Sequence, residues 1–103
     1  MKPILYATLI AALMTPAMPH VADAGPIQRA CMKSDRKAAS RSLCRCIQNA
    51  ARGTLSSSDQ RIAATFFRDP HRSQEIRQSD RRSHEIFWKK YKEFGARARQ
   101  MCS

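Results

Sequence analysis

Four side chains in this sequence are capable of thiol chemistry, Cys31, Cys44, Cys46 and Cys102, and two of them form the C-x-C pair of "LCRCIQ" (43–48). A close pair of cysteines can exchange electrons when one thiol has a lowered pKa, and Arg41 and Arg45 would help hold a thiolate. Helical geometry argues for a different use. Residues two apart on a helix point about 200° apart around its axis, so Cys44 and Cys46 are badly placed to bridge each other. Each needs a distant partner, one before the helix and one near the end of the chain. That leaves two connectivities open, 31–44 with 46–102, or 31–46 with 44–102. The cysteines are therefore expected as structural staples, with a thiol–disulfide redox protein as the alternative. Zinc is not expected, because paired C-x₂-C units are missing.

The pair His84-Glu85 suggests a zinc protease helix, but that motif needs a second histidine three residues beyond the glutamate, where Trp88 stands. No glycine-rich phosphate loop, nucleophile elbow or suggestively spaced carboxylate pair occurs either. The reading is a non-enzymatic protein with no cofactor and no metal.

The segment "QSDRRSHEIFWKKYKEF" (78–94) alternates cations with aromatic rings, a pattern found where nucleic acid is bound if the rings are exposed. On a helical wheel, however, Ile76, Phe87, Tyr91, Phe94, Ala98 and Met101 share one narrow stripe, which is core spacing. Arg81, Arg82, Lys89, Lys92 and Arg99 fall opposite. Acids at helical neighbour positions give the pairs Arg81–Glu85, Glu85–Lys89, Lys89–Glu93 and Glu93–Arg97, which describe a solvated face. Trp88 lies at the stripe's edge. Asp80, Ser83 and His84 fall on the apolar stripe, where polar groups need partners. Asp80 and His84 can bond each other, and Arg77 is three residues before Asp80. Two readings of Arg77, Asp80, Arg81, Ser83, His84 and Trp88 follow. One is a structural polar junction; the other is a small pocket with Arg77 or Arg81 as anion ligand.

The elements that must position these residues read as helices. Val is absent after residue 21, and apolar residues recur at helical spacing. A helix is expected over about 38–52, with Leu43, Ile47 and Ala50 on one stripe and Gly53 as its C-terminal cap. A short helical turn precedes it around 27–33. A second helix follows "TLSSS", capped by Ser56 or Ser57 and with Asp59 in its first turn. Its inner face is Ile62, Ala63 and Phe66. Asp69 before Pro70 ends it and caps a third helix running to about residue 101, kinked near Ser79 or Gly95. The fold class is all-α, a small disulfide-stapled helical bundle of about three helices.

The first 24 residues read as an export signal removed before Gly25. Lys2 precedes an apolar run over 4–14, Pro16 and Pro19 follow, and Ala22 and Ala24 sit at the positions signal peptidase reads. That run is too short for a bilayer, which needs about 20 residues, and no second apolar run exists. Residues 25–103 then form one small domain carrying all four cysteines, and exported domains of this size commonly rely on disulfides. Losing Lys2 together with Asp23 leaves the net charge at +11. With a pI near 10.4 the protein is expected to attract anions. In the periplasm or outside the cell these are envelope lipid, polysaccharide or a membrane protein rather than nucleic acid.

Cys31, "SRSLCRCIQ" (40–48), "TLSSSDQR" (54–61), "FFRDPH" (66–71), "QSDRRSHEIFW" (78–88), Tyr91 and Cys102 together resemble a family of short exported bacterial proteins of unknown function. Some of its members carry the automatic name "arginine transporter". The resemblance covers nearly all of residues 25–103 and implies a name rather than a mechanism. A transport-associated ligand-binding role would need a membrane partner, since the chain has no spanning helix of its own. The first expectation is a binding module for an anionic envelope component or a protein partner.

Overall fold

A computed structural model of the chain describes residues 24–37 and 39–103. The export-signal expectation falls on residues 1–23, outside the described residues, apart from Ala24 and the junction with Gly25. Among the described residues the fold is all-α with five helices: α1 (Gly25–Lys33), α2 (Arg41–Arg52), α3 (Ser57–Thr65), α4 (Pro70–Arg77) and α5 (Arg82–Cys102).

Five replaces the expected three for two local reasons. The turn expected around 27–33 is a complete helix, started by Pro26 in its first turn. The third expected helix is two helices, because the chain breaks between Arg77 and Arg82 instead of kinking. Ser79 makes the break: its Oγ accepts the Arg81 N–H at 3.1 Å and meets His84 Nδ1 at 2.7 Å. A serine that bonds the nearby backbone competes with the helical ladder. Gly95, the other expected kink, lies within an uninterrupted α5.

Serine caps set the other starts. Ser40 Oγ accepts the Leu43 N–H at 3.1 Å, so α2 begins at Arg41 and not near 38. Ser56 Oγ accepts the Asp59 N–H at 3.1 Å and starts α3. Asp69 makes no side-chain cap, and Pro70 alone opens α4. Gly53 follows α2 as expected, but at φ −88° it is right-handed. A Cβ there would stand 3.1 Å from the Arg97 guanidinium carbon, so glycine serves close approach rather than a left-handed cap.

The core runs through all five helices. Ile27, Ala50, Ala51, Leu55, Ala63, Phe66, Ile76, Phe87 and Phe94 are buried together. The expected stripe on the last helix is therefore largely correct, with Tyr91 and Ala98 half-buried. Met101 departs from it and is exposed, because α5 outlasts the core it packs on.

Two disulfides tie the ends, Cys31–Cys44 and Cys46–Cys102, with Cα atoms 5.6 and 5.8 Å apart. Cys44 and Cys46 lie on opposite sides of α2, one facing α1 and the other the end of α5. Of the two connectivities open in the sequence, this is the first.

Sequence patterning gave no warning of the buried polar link between α1, α2 and α3. Gln48 is fully buried. Its Oε1 accepts the Gln28 N–H at 2.9 Å, one of the amides at the start of α1 that lack a helical partner. Its Nε2 donates to Gln60 Oε1 at 2.7 Å, and Gln60 Nε2 donates to the Leu55 carbonyl at 3.1 Å. Gly25, at φ +68°, lies so close to this amide that a Cβ would overlap it. Gln48→Leu leaves the Gln28 N–H and the Gln60 carbonyl oxygen without partners. The expected cost is about 2–3 kcal/mol of stability. Urea unfolding followed by circular dichroism measures it; an unchanged midpoint would show the link to be dispensable.

Candidate functional site

The six residues singled out around 77–88 are only partly brought together. Arg77 and Trp88 line a shallow depression of about 220 Å³ between α4 and α5, with Ser79, Glu85, Lys89 and Lys92. Three cations and one acid surround it. His84 is half-buried, and its partner is Ser79 rather than Asp80. Asp80 and Ser83 are exposed, contrary to their placement on the core stripe. For Asp80 the wheel failed because it carried one helical register across the break at 78–81, whereas Ser83 is in register with Phe87 but lies in the first turn of α5. Arg81 enters the junction through its backbone N–H, and its side chain is exposed. The structural junction is thus built by Ser79 and His84, while the cations around the depression are Arg77, Lys89 and Lys92.

Charge is distributed unevenly along the fold. From α1 through α2 the cations Arg29, Lys33, Arg36, Lys37, Arg41, Arg45 and Arg52 all face solvent, with Asp35 as the single acid. The Cys31–Cys44 bridge closes the loop that carries Lys33, Asp35, Arg36, Lys37 and Arg41. Two acids elsewhere have close basic neighbours: Asp59 with Lys90 at 3.9 Å, and Glu75 with Arg72 at 3.3 Å and with the His71 ring at 3.9 Å. The four pairs expected along α5 do not close to ion-pair distance among the described residues. Acid-poor α1 and α2 therefore form the most electropositive end of the molecule.

A third feature had no signal in the sequence. α3 packs on α1 and α4, whereas α5 packs on α2 and α4. Along their facing sides α3 and α5 are joined mainly by the Phe66 ring, which meets Phe87 edge-on at 6.0 Å and Tyr91 edge-on at 5.2 Å. The seam beside these rings holds a cavity of about 200 Å³, lined by Ile47 of α2, Ala63, Phe67, Tyr91, Phe94 and Ala98, with Arg36 on its wall. The Arg36 guanidinium lies 5.4 Å from the centre of the Phe67 ring, a cation–π contact. Tyr91 is central to the seam, with Trp88 at 5.2 Å and Phe94 at 5.7 Å. Burial pushes the Tyr91 hydroxyl above its ordinary pKa, and the positive charge of Arg36 opposes that rise.

No group of three or more metal-ligating side chains gathers among the described residues. Cys44 and Cys46 each bond a distant cysteine, so the C-x-C pair does not form a vicinal disulfide. Among the described residues no helix is long and apolar enough to cross a membrane. Comparison with family models, with curated proteins and with solved structures finds no match. The resemblance drawn from the sequence thus rests on its quoted segments alone.

Proposed function

We propose that this is an exported, non-enzymatic binding protein whose partner is an anionic component of the cell envelope, a lipid or an acidic polysaccharide. One observation carries the reading. The α1–α2 end presents its cations to solvent with Asp35 as the sole acid, and a disulfide pins the loop between them. Clustered like charge raises the local potential and draws in anions over several ångströms. Holding the loop by a covalent link reduces the ordering that binding would otherwise demand. Export is supported by the sequence before Gly25, and the disulfides accord with an oxidising compartment.

Retention on anionic phospholipid vesicles or heparin tests this. Binding at low salt is expected to weaken about tenfold or more between roughly 0.05 and 0.5 M salt, as screening shortens the reach of surface charge. Equal binding at both salt concentrations contradicts an electrostatic surface.

A further inference from the structure

The seam between α3 and α5 is a half-open piece of core. Phe66, Phe94 and Ala63 are buried beneath it, yet Ile47, Phe67, Tyr91 and Ala98 above them remain partly exposed. Small side chains create the space, since Ala63 and Ala98 face it where larger residues would fill it. Phe67 also lines a second cavity of about 260 Å³ that includes Lys33 and Arg68, with Asp35 as its single acid. Ile47 and Ala98 also border a shallow, largely apolar depression beside Leu43 and Cys102, with Arg99 on its edge.

We propose that this seam binds a single-chain anionic amphiphile, its hydrocarbon chain lying between α3 and α5 and its carboxylate or phosphate head at Arg36. The inference rests on the anionic-envelope reading for the charge of the ligand and adds an apolar cavity beside that surface, with Arg36 and Lys33 belonging to both. Shape and charge select the occupant. A cavity of about 200 Å³ is too small for a docking helix, whose diameter with side chains is about 10 Å. An unbranched chain fits a narrow apolar space whose walls at Ile47 and Ala98 also border the neighbouring depression. The head group then lies at the end where Arg36, Lys33 and Arg68 outnumber Asp35. Arg36 already rests on Phe67, so the cation is held at the mouth of the apolar space before any ligand arrives.

The test is titration of the disulfide-bonded protein with dodecanoate below its micellar concentration, followed by calorimetry and by Trp88 emission. Trp88 is a suitable reporter because its ring centre is 5.2 Å from that of Tyr91. Acetate supplies the head without a chain, and dodecyl maltoside a chain without charge. Saturable one-site binding of dodecanoate is expected, with no response to acetate at the same concentration and at least about tenfold weaker binding of the maltoside. Ala98→Phe fills the seam and is expected to abolish binding with the helical circular dichroism unchanged. Arg36→Ala is expected to weaken dodecanoate about tenfold and leave the maltoside unaltered. Arg36 is exposed, so this variant decides the matter if Ala98→Phe does not fold.

Absence of saturable dodecanoate binding overturns the proposal, as does an equal response to acetate or unaltered dodecanoate affinity in Arg36→Ala. Conversion of a dimer to a monomer by Ala98→Phe would show a second copy in the seam and would also overturn it. Binding to anionic vesicles without binding of dodecanoate removes the seam site and leaves the cationic surface standing. Dodecanoate binding without vesicle binding does the reverse.

Discussion

Replacing Cys46 and Cys102 together with alanine is expected to cost about 4 kcal/mol, enough to leave the domain near its unfolding midpoint at room temperature. The bridge spans 56 residues of sequence, and the chain entropy it removes from the unfolded state grows with the logarithm of loop length. A domain this small holds roughly 5 kcal/mol in total. The bridge also anchors the end of α5, which runs beyond the core and leaves Met101 exposed, so no apolar contact there takes over when the disulfide is gone. The shorter Cys31–Cys44 bridge spans 13 residues, and its removal is expected to cost about 3 kcal/mol. Ile27 and the Gln48 link continue to hold α1 in that variant. Alanine is the proper replacement because Cys44 is fully buried and a serine hydroxyl would lack a partner. Urea unfolding of both double variants gives the comparison. A reversed order, or a loss under about 1 kcal/mol for the longer loop, would refute this account of the bridges.

Phe66→Ala is expected to be comparably severe, at about 3–5 kcal/mol. The ring is 6% exposed and joins the C-terminal cap of α3 to Phe87 and Tyr91 of α5. Truncation removes its apolar burial together with two edge-on ring pairs, each worth about 0.5–1.5 kcal/mol. The void opens into the existing seam, so water rather than a dry cavity would fill it. Phe66→Leu should recover about half of the loss, because it restores volume without the ring geometry. A cost below about 1 kcal/mol for alanine would mean that α3 and α5 are held together by something other than this ring.

How much of this was legible in the sequence depended on whether a feature was local. Ser56 before Asp59 and Pro70 after Asp69 mark helix starts, and both starts occur there. The apolar spacing of Ile76, Phe87 and Phe94 correctly placed these three side chains in the core, with Trp88 and Tyr91 half-buried beside them. The helical wheel also separated Cys44 from Cys46. It could not choose the pairing, because that depends on how α2 is rotated toward α1. Gln48 is the residue that settles the rotation: it lies four residues after Cys44, on the same face, and is just as buried. A glutamine reads as an outward residue unless its partners are known, and those partners, Gln28 and Gln60, come from two other helices.

The polar cluster failed for a related reason. Asp80 belongs to the core stripe only if one helix runs through residues 78–81, and the hydroxyl of Ser79 ends that helix; Ser83 shares the face of Phe87 but lies in the first turn of α5, where it stays exposed. The cation-rich end was visible as composition, though not as a surface until the Cys31–Cys44 bridge closed the loop between α1 and α2. The seam was invisible altogether. It arises where two helices that both look properly amphipathic fail to meet along their length, and Arg36 reaches it from a loop with no periodicity to read.

Charge reversal tests most directly whether the acid-poor α1–α2 end is the docking surface. Binding to anionic vesicles is compared between Arg41→Glu/Arg45→Glu on α2 and Lys89→Glu/Lys92→Glu on α5, all four positions being exposed. Both pairs change the net charge equally, so any difference reports location rather than total charge. The α2 pair is expected to lose binding by at least about tenfold, and the α5 pair by about two- to threefold. Equal losses would reduce the interaction to net charge alone, and undiminished binding in the α2 variant would contradict the docking surface.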